Sequence, residues 1–233
     1  MRKTWLNIAA FISIAVAAFF IGIQFFDTAP RVIRVDGSLH AAYNLEEMKS
    51  QSEVIVVGKF VKMERKINSA RDLNNPGLAS NTVYHEGELY QFKADQVIKG
   101  EIGKEPIIRV NIPKTKELAN LDSQDILSVT DPNYIKPEFG KSYMLFLTPI
   151  KNTDYYGIPF FPYILEIHNN QTVSLVKPHP SLLSQRSTIQ SAEEGKSEDV
   201  LVHFENFAAS YPDQISGRKL SEVLSALGGS PSE

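Results

Sequence analysis

The sequence predicts a mainly β domain that follows one N-terminal membrane helix. Residues 5–26 contain no formally charged side chain, residues 53–61 are dense in β-branched side chains, and apolar residues are interspersed with polar ones from Leu89 to Val97. A long uncharged apolar stretch favours a membrane helix, whereas β-branched runs and an approximate apolar-polar alternation favour strands. The chain has 233 residues, of which 42% are hydrophobic and 22% are charged, and this composition is typical of a folded protein.

The N-terminal segment is long enough to cross a bilayer. As a helix, residues 5–26 would extend about 33 Å at about 1.5 Å per residue, against a hydrocarbon core of about 30 Å. Arg2 and Lys3 precede this segment. They predict a cytoplasmic tip at residues 1–4 and a single-pass protein of the cell membrane with its C-terminal domain outside. Residues 27–43 are then a juxtamembrane linker.

A cleaved signal peptide is the alternative interpretation of the same segment. Ala15-Val16-Ala17 has the small-residue pattern of a cleavage site, and cleavage there would give a secreted protein. Apolar residues continue directly from 18 to 26, however, where a polar region normally begins. This continuation favours an uncleaved anchor, and the domain is exported under either interpretation.

The predicted β domain spans residues 44–178. Asn44 can cap a short helix, and Gly58 within the first strand suggests a bulge or bend. Residues 114–138 lack a strong period and are predicted to be an insertion. The predicted strands lie at residues 53–61, 89–97, 107–112 and 139–147, followed by a hairpin of residues 163–167 and 172–176.

The C-terminal part is predicted to be a Ser-rich linker at 179–197 and a helical addition at 198–228. Ser197 can cap the first helix, and Gly228-Gly229 can end the second. The two apolar stripes are Val200, Phe204, Phe207 and Tyr211, and then Leu220, Val223, Leu224 and Leu227. We expect both stripes to cover the sheet, with a docking face for a partner as the alternative.

The order of these segments resembles a group of bacterial exported proteins. A short helix is followed by EVIVVGKFV, then YQFKADQVIKGE, then FGKSYMLFL and a closing hairpin. This order is similar to the netrin-like, or tissue-inhibitor-of-metalloproteinase-like, OB-fold domain. The resemblance covers Asn44 to Val176 and implies a five-stranded OB-like Greek-key β-barrel. Its motifs are structural, so it implies no activity.

The animal inhibitors in that family bind a protease's zinc through a mature N-terminal cysteine. The chain has no cysteine, so this mechanism does not carry over. The absence of cysteine also excludes disulfides, thiolate metal sites and cysteine nucleophiles. Exported animal domains of this size often carry disulfides, so the lack of cysteine favours a bacterial protein.

The charge of the exported part argues against two classes of partner. After the apolar segment the chain carries 22 basic and 27 acidic side chains, a net charge of −5 without a basic block. Nucleic acid and anionic lipid both favour concentrated positive charge. We therefore expect the membrane to be contacted through residues 5–26 and no nucleic acid to be bound.

The polar motifs do not predict catalysis, a metal site or a cofactor. In the segment His85-Glu86-Gly87-Glu88, strand alternation would point the histidine away from both acids. Two Ser-x-x-Lys pairs, Ser174/Lys177 and Ser216/Lys219, lack the further motifs of penicillin-recognising enzymes. The sequence thus predicts a protein that is not an enzyme.

Five aromatic residues within nine form the most unusual stretch of the chain. They are Tyr155, Tyr156, Phe160, Phe161 and Tyr163. Intervening Gly and Pro residues prevent all five from lying on one strand face. They either pack over one end of the core or form an exposed surface that binds a peptide, glycan or protein.

The sequence therefore predicts a non-enzymatic, membrane-anchored binding protein that engages an exported or membrane protein, or another envelope component. The first alternative is an inhibitor or immunity-type factor that blocks an exported protease or toxin by occlusion. The second alternative is an envelope hydrolase.

Overall fold

A computed structural model describes residues 30–36, 41–119, 126–190, 197–205 and 212–229. The chain divides into two units, residues 1–31 and 32–233, and nearly all described residues belong to the second. The predicted anchor at residues 5–26 lies outside the described residues, as does part of the linker that follows it. Within the described ranges, no helix combines the length and the apolar character that crossing a membrane requires.

The described part of the chain is mainly β, as the sequence predicts. Its strands are β1 (Arg31–Asp36), β2 (Val54–Asn68), β3 (Glu86–Lys99), β4 (Ile107–Pro113), β5 (Thr115–Ala119), β6 (Ile126–Thr130), β7 (Ser142–Pro149), β8 (Tyr155–Gly157), β9 (Ile164–Ile167), β10 (Val173–Leu175), β11 (Ser184–Gln190) and β12 (Ser197–Glu205). Its helices are α1 (Leu45–Gln51), a 3-10 helix (Pro180–Leu183) and α2 (Leu220–Leu227).

Five strands form a closed ring in the order β7-β2-β3-β4-β8. The short strand β8 closes it by pairing parallel with β4 and antiparallel with β7. Strands β9 and β10 extend the sheet beyond β7. The main core includes Phe60, which contacts Phe92 edge-to-face at a centroid distance of 5.0 Å and Tyr143 at 5.6 Å. Such edge-to-face contacts stabilise a core beyond the area that they bury.

The bulge predicted at Gly58 is confirmed. The pairing of β2 with β3 shifts register between Val57 and Gly58. A Cβ atom at Gly58 would lie 2.0 Å from the carbonyl oxygen of Lys93, so only glycine fits this close approach of the two strands. Bulges increase the twist and bend of a strand, as a closed ring of few strands requires.

Side-chain hydrogen bonds stabilise helix α1 at both of its ends. The Asn44 side chain accepts a hydrogen bond from the backbone N–H of Glu47 at 2.9 Å, and the Glu47 carboxylate accepts one from Tyr43 N–H at 2.7 Å. This reciprocal arrangement is similar to a capping box. At the other end, Lys99 Nζ donates to the carbonyl oxygens of Lys49 and Ser52, at 2.6 Å each. The lysine of the Lys-Gly turn therefore joins β3 to α1.

The first C-terminal helix predicted from Ser197 is wrong, because residues 197–205 form strand β12. Val200, Val202 and Phe204 are buried at every second position, which is the period of a strand. A spacing of four residues from Val200 to Phe204 fits either period, so the apolar stripe did not distinguish the two. Phe207 and Tyr211 lie outside the described residues.

Strand β12 belongs to a second, smaller core. Its sheet has the order β1-β12-β11, and it packs with the hairpin β5-β6. Strand β1 lies within the predicted linker at 27–43, and β11 lies within the predicted Ser-rich linker. Strands β5 and β6 lie within the predicted insertion. The second predicted helix is confirmed as α2, which ends at Gly228 with a φ of 81°.

Candidate binding groove

The five aromatic residues predicted as a binding surface separate into two groups. Phe160, Phe161 and Tyr163 are buried, with exposed fractions of 3%, 3% and 2%, and they belong to the main core. The backbone around them is also paired, since Ala42 N–H donates to the carbonyl oxygen of Phe161 at 3.0 Å. These three residues thus follow the packing alternative and form no exposed surface.

Tyr155 and Tyr156 are the two that remain partly accessible, in strand β8. In the parallel pairing with β4, Tyr155 lies beside Arg109 and Tyr156 lies beside Val110. Neighbouring residues of a strand point to opposite faces. Tyr156 packs against the main core, and its partial burial raises the pKa of its hydroxyl group.

A groove of about 340 Å³ lies next to these tyrosines, where β3, β4 and β8 meet. The residues that line it include Gln91, Ile107, Ile108, Arg109, Asp154 and Tyr156. Its wall therefore combines aliphatic and aromatic surface with charged and amide groups. Ligand sites commonly have this composition, in which apolar surface binds and a few polar groups orient.

Arg109 is the central charged residue of the groove. Its Nε donates to Glu64 at 3.0 Å, and its Nη1 donates to the carboxylate of Asp154. Gln91 Nε2 also donates to Glu64, at 3.2 Å. The hydrogen bonds from Arg109 and Gln91 lower the pKa of Glu64, and the contacts with Glu64 and Asp154 raise the pKa of Arg109. Glu64 and Arg109 are therefore both charged near neutral pH.

A second guanidinium group, that of Arg71, lies over the ring of Tyr155. Its Cζ is 5.5 Å from the ring centroid, and its Nη2 is 3.3 Å from Tyr155 Oη. Arg71 comes from the loop between β2 and β3, and Tyr155 follows the loop between β7 and β8. The two loops also touch each other, since a Cβ atom at Gly77 would lie 2.4 Å from Asn152 Nδ2. Tyr155 is thus flanked by two arginines.

A buried polar cluster surrounds Glu88 of β3, which is 6% exposed. Its carboxylate accepts hydrogen bonds from Tyr134 at 2.6 Å, from Lys114 at 2.9 Å and from Tyr90. Burial alone would raise the pKa of Glu88, but these hydrogen bonds outweigh it and the pKa is lowered. Burial and the neighbouring Glu88 raise the pKa of Tyr134 to about 12. The cluster satisfies a charged group within the fold, and its residues do not line the groove.

A serine, a histidine and a glutamate meet on the hairpin β9-β10. His168 Nε2 is 2.8 Å from Ser174 Oγ, and His168 Nδ1 is 3.6 Å from Glu166 Oε1. The second distance exceeds a hydrogen bond. Glu166 also pairs with Lys141 at 3.1 Å. The order of the groups is that of a serine hydrolase, although the His168 side chain is 40% exposed and the trio lies outside the groove.

Sequence reasoning missed the polar residues of the groove and its rim, Glu64, Gln91, Arg109 and Asp154. One signal was present, because Arg109 is the only charged residue in the apolar strand IIRVNIP. Its partners come from β2, β3 and the loop before β8, and only the fold brings them together. Among the described residues, no group of three or more His, Asp or Glu side chains is arranged to hold a metal ion.

Comparison of the chain with protein-family models, with curated proteins and with solved structures found no match. The resemblance to the netrin-like domain therefore stays a prediction. The fold and the groove define a mainly β protein with a ring of five strands and a charged, partly aromatic groove on the ring's wall.

Proposed function

We propose that the protein is a membrane-anchored, extracytoplasmic binding protein whose OB-like Greek-key barrel engages an exported or membrane protein, or another envelope component. It acts without catalysis, and its ligand binds in the groove beside Tyr155 and Tyr156. Residues 5–26 anchor the protein in the membrane. The single observation that carries the proposal is the groove itself, on strands and loops that ligands commonly use in OB domains.

The strand order supports the OB-like barrel. Strands β2, β3 and β4 form an antiparallel meander, and β7 returns to pair with β2, which gives the order of a Greek key. Strand β8 then joins β4 to β7 and completes the ring. The register shifts along β2 supply the bends that a small barrel needs.

The position of the groove supports ligand binding. OB domains bind on the face of their second and third strands and on the loops between strands one and two and between strands four and five. In this chain those strands are β3 and β4, which contribute Gln91 and Arg109 to the groove. The corresponding loops carry Arg71, beside Tyr155, and Asp154, beside Arg109.

In-cell crosslinking of the tagged full-length protein, followed by mass spectrometry, tests this function. The variant combines Ile107→Ser, which removes apolar surface from the groove wall, with Tyr155→Ser, which removes the neighbouring ring beside Arg109. Tyr43→Ser with Phe139→Ser is the matched control, because both residues are more than half exposed and lie outside the groove. We expect one dominant partner that the groove variant loses and the control keeps. Equal capture of abundant neighbours by all three proteins would contradict the proposal.

A hydrolase is a second candidate because His168 contacts Ser174 at hydrogen-bond distance. Serine hydrolysis also needs donors that stabilise an oxyanion and a cleft that holds the substrate. The groove lies elsewhere, so we expect a fluorophosphonate probe to leave Ser174 unlabelled. Labelling of the wild-type protein that Ser174→Ala and His168→Ala both abolish would favour the hydrolase instead.

A further inference from the structure

Arg109 is fixed from one side of the groove by residues of the sheet. Glu64 accepts from its Nε at 3.0 Å and is itself held by Gln91 at 3.2 Å. The side chain of Glu64 is only 25% exposed. Because both partners lie on ring strands, the orientation of the guanidinium is set before any ligand arrives. A planar guanidinium in a fixed orientation is suited to recognising a carboxylate.

Asp154 contacts the same guanidinium in a different way. It lies in the loop that precedes β8, and its side chain is 66% exposed. It accepts from Nη1, whereas Glu64 accepts from Nε, so the two carboxylates occupy different positions on the guanidinium. Exposed ion pairs contribute little stability, so this contact is readily exchanged for another of the same kind. A carboxylate from the chain itself thus occupies a position that a ligand carboxylate can take.

The surroundings of this position suit a carboxylate attached to an apolar group. Ile107, which is 44% exposed, and Tyr156 line the same groove. Arg71 lies over Tyr155 on the neighbouring loop and is a second cation close to β8. Glu105 also lines the groove, and its negative charge disfavours an anionic ligand. Whether the groove prefers an acid or a cation is therefore a test of the inference.

We propose that the groove binds a carboxylate carried next to an apolar or aromatic group, as at the C-terminus of a partner's peptide, and that Asp154 occupies Arg109 until this ligand displaces it. This inference rests on the proposed binding function and specifies its ligand. Asp154 is then an internal competitor of the ligand, because the carboxylates of Asp154 and of the ligand both bind to Arg109.

Three small probes that differ mainly in charge test the preference on the full-length protein in detergent. They are N-acetyl-phenylalanine, its neutral amide, and phenylalanine amide, which is a cation. Binding is followed by NMR shifts of the Tyr155 and Tyr156 side chains. We expect saturable shifts with the acid, weaker shifts with the neutral amide and none with the cation. Stronger binding of the cation than of the acid, or equal binding of all three, would overturn the inference.

The variant Asp154→Asn tests displacement by the sign of its effect. Removal of a competing exposed carboxylate should tighten binding of N-acetyl-phenylalanine about two- to fivefold, whereas Arg109→Gln should weaken it about tenfold or more. Glu105→Gln is the matched control for a general loss of negative charge. If Glu105→Gln tightens binding as much as Asp154→Asn does, or if Asp154→Asn weakens it, Asp154 is not a competitor.

The outcome is separable from that of the crosslinking experiment. Capture of a partner that needs Tyr155 but is insensitive to Arg109→Gln would refute the carboxylate ligand and leave the binding function standing. Arg71→Gln serves as a second cation variant, with an expected smaller loss of affinity, should Arg109→Gln reduce the yield of folded protein.

Discussion

At the scale of single residues, the contacts of Lys99 and Gly100 explain why the sequence contains a Lys-Gly turn. The Lys-Gly turn at residues 99 and 100 carries two functions in the fold. Lys99 binds the last carbonyl groups of α1, and Gly100 has a φ of 75° that side chains rarely adopt. A Cβ atom at Gly100 would also lie 2.3 Å from the carbonyl oxygen of Glu53. The motif is therefore explained by packing and not by chemistry.

Gly58→Ala should destabilise the protein by about 2–4 kcal/mol, because its Cβ atom would collide with the backbone of Lys93. Gly103→Ala is the matched control, since a Cβ atom there meets nothing within 4 Å. Urea denaturation of both variants measures the difference. If the two free energies of unfolding agree within about 0.5 kcal/mol, the strands do not approach as closely as described.

Glu88→Gln should lower the free energy of unfolding by about 1–3 kcal/mol at pH 7, because a charged hydrogen-bond acceptor is lost from a buried cluster. The folded-state pKa of Glu88 lies below its ordinary value of 4.5. Its ionised form therefore stabilises the fold above about pH 4.5, and this contribution is lost as pH falls through the folded-state pKa.

The difference between wild type and Glu88→Gln should consequently shrink from pH 6 to about pH 3. Chemical denaturation at several pH values measures this trend, and Glu101→Gln, at an exposed position, controls for the general loss of a carboxylate. A difference that grows towards low pH would mean that burial, and not the hydrogen bonds to Glu88, decides its protonation.

At the scale of elements, the strands of the ring were largely predictable and those of the second core were not. Strands β2 and β4 carry dense β-branched runs, β3 is a long strand of mixed apolar and polar residues, and β7 is a short continuous apolar run after a Phe-Gly turn. Each of these patterns favours a strand. Strand β12 spans Ser197–Glu205, but the spacing of its Val200 and Phe204 also fits one helical turn. Strands β5 and β6 lie in a segment without periodicity, and β11 lies in a Ser-rich stretch. They form because they pair with one another and cover the second core.

The candidate site was predictable only in part for the same reason. The aromatic stretch was recognised, but burial of Phe160, Phe161 and Tyr163 depends on strands far away in sequence. The contact between Arg109 and Glu64 likewise joins residues 45 positions apart. A single sequence carries no signal for such a pairing.

Gln185→Ala should loosen the hairpin β5-β6 without changing the ring. The Gln185 side chain accepts from Thr130 N–H at 3.0 Å and donates to the Thr130 carbonyl oxygen at 2.8 Å, so it pairs with β6 as a strand backbone would. Two net hydrogen bonds correspond to about 1–3 kcal/mol. Hydrogen exchange should therefore accelerate in residues 115–119 and 126–130 and stay unchanged in β2 and β3.

Arg186→Ala is the control for this experiment, because it changes an exposed neighbour of Gln185 on the same strand. If both variants leave exchange in the hairpin unchanged, the amide of Gln185 contributes nothing to its attachment. If exchange accelerates in the ring as well, the two cores unfold as one unit.

At the scale of the whole molecule, the two cores differ in size and in what they carry. The main core contains the ring and supports the groove, whereas the second core, within the described ranges, is built from six buried residues and flanking side chains. Strand β1 of the second core lies at residues 31–36, soon after the predicted anchor in the chain. The groove therefore belongs to the larger core, and the segment that leaves the predicted anchor joins the smaller one.

The membrane anchor at residues 5–26 is predicted from the sequence alone, and an experiment can test it directly. We expect the protein from cell membranes to resist extraction by alkaline carbonate and to retain Trp5 in an intact mass measurement. The reason is that residues 5–26 have the length of a membrane helix and no polar region follows Ala15-Val16-Ala17. The double variant Ile14→Arg and Val16→Arg should release the protein from the membrane or prevent its export, because charges at the centre of a membrane helix cost about 2.5–3.5 kcal/mol each. A mature chain that begins at Ala18 would instead identify a cleaved signal peptide. The protein that carries the groove would then be secreted and diffuse freely.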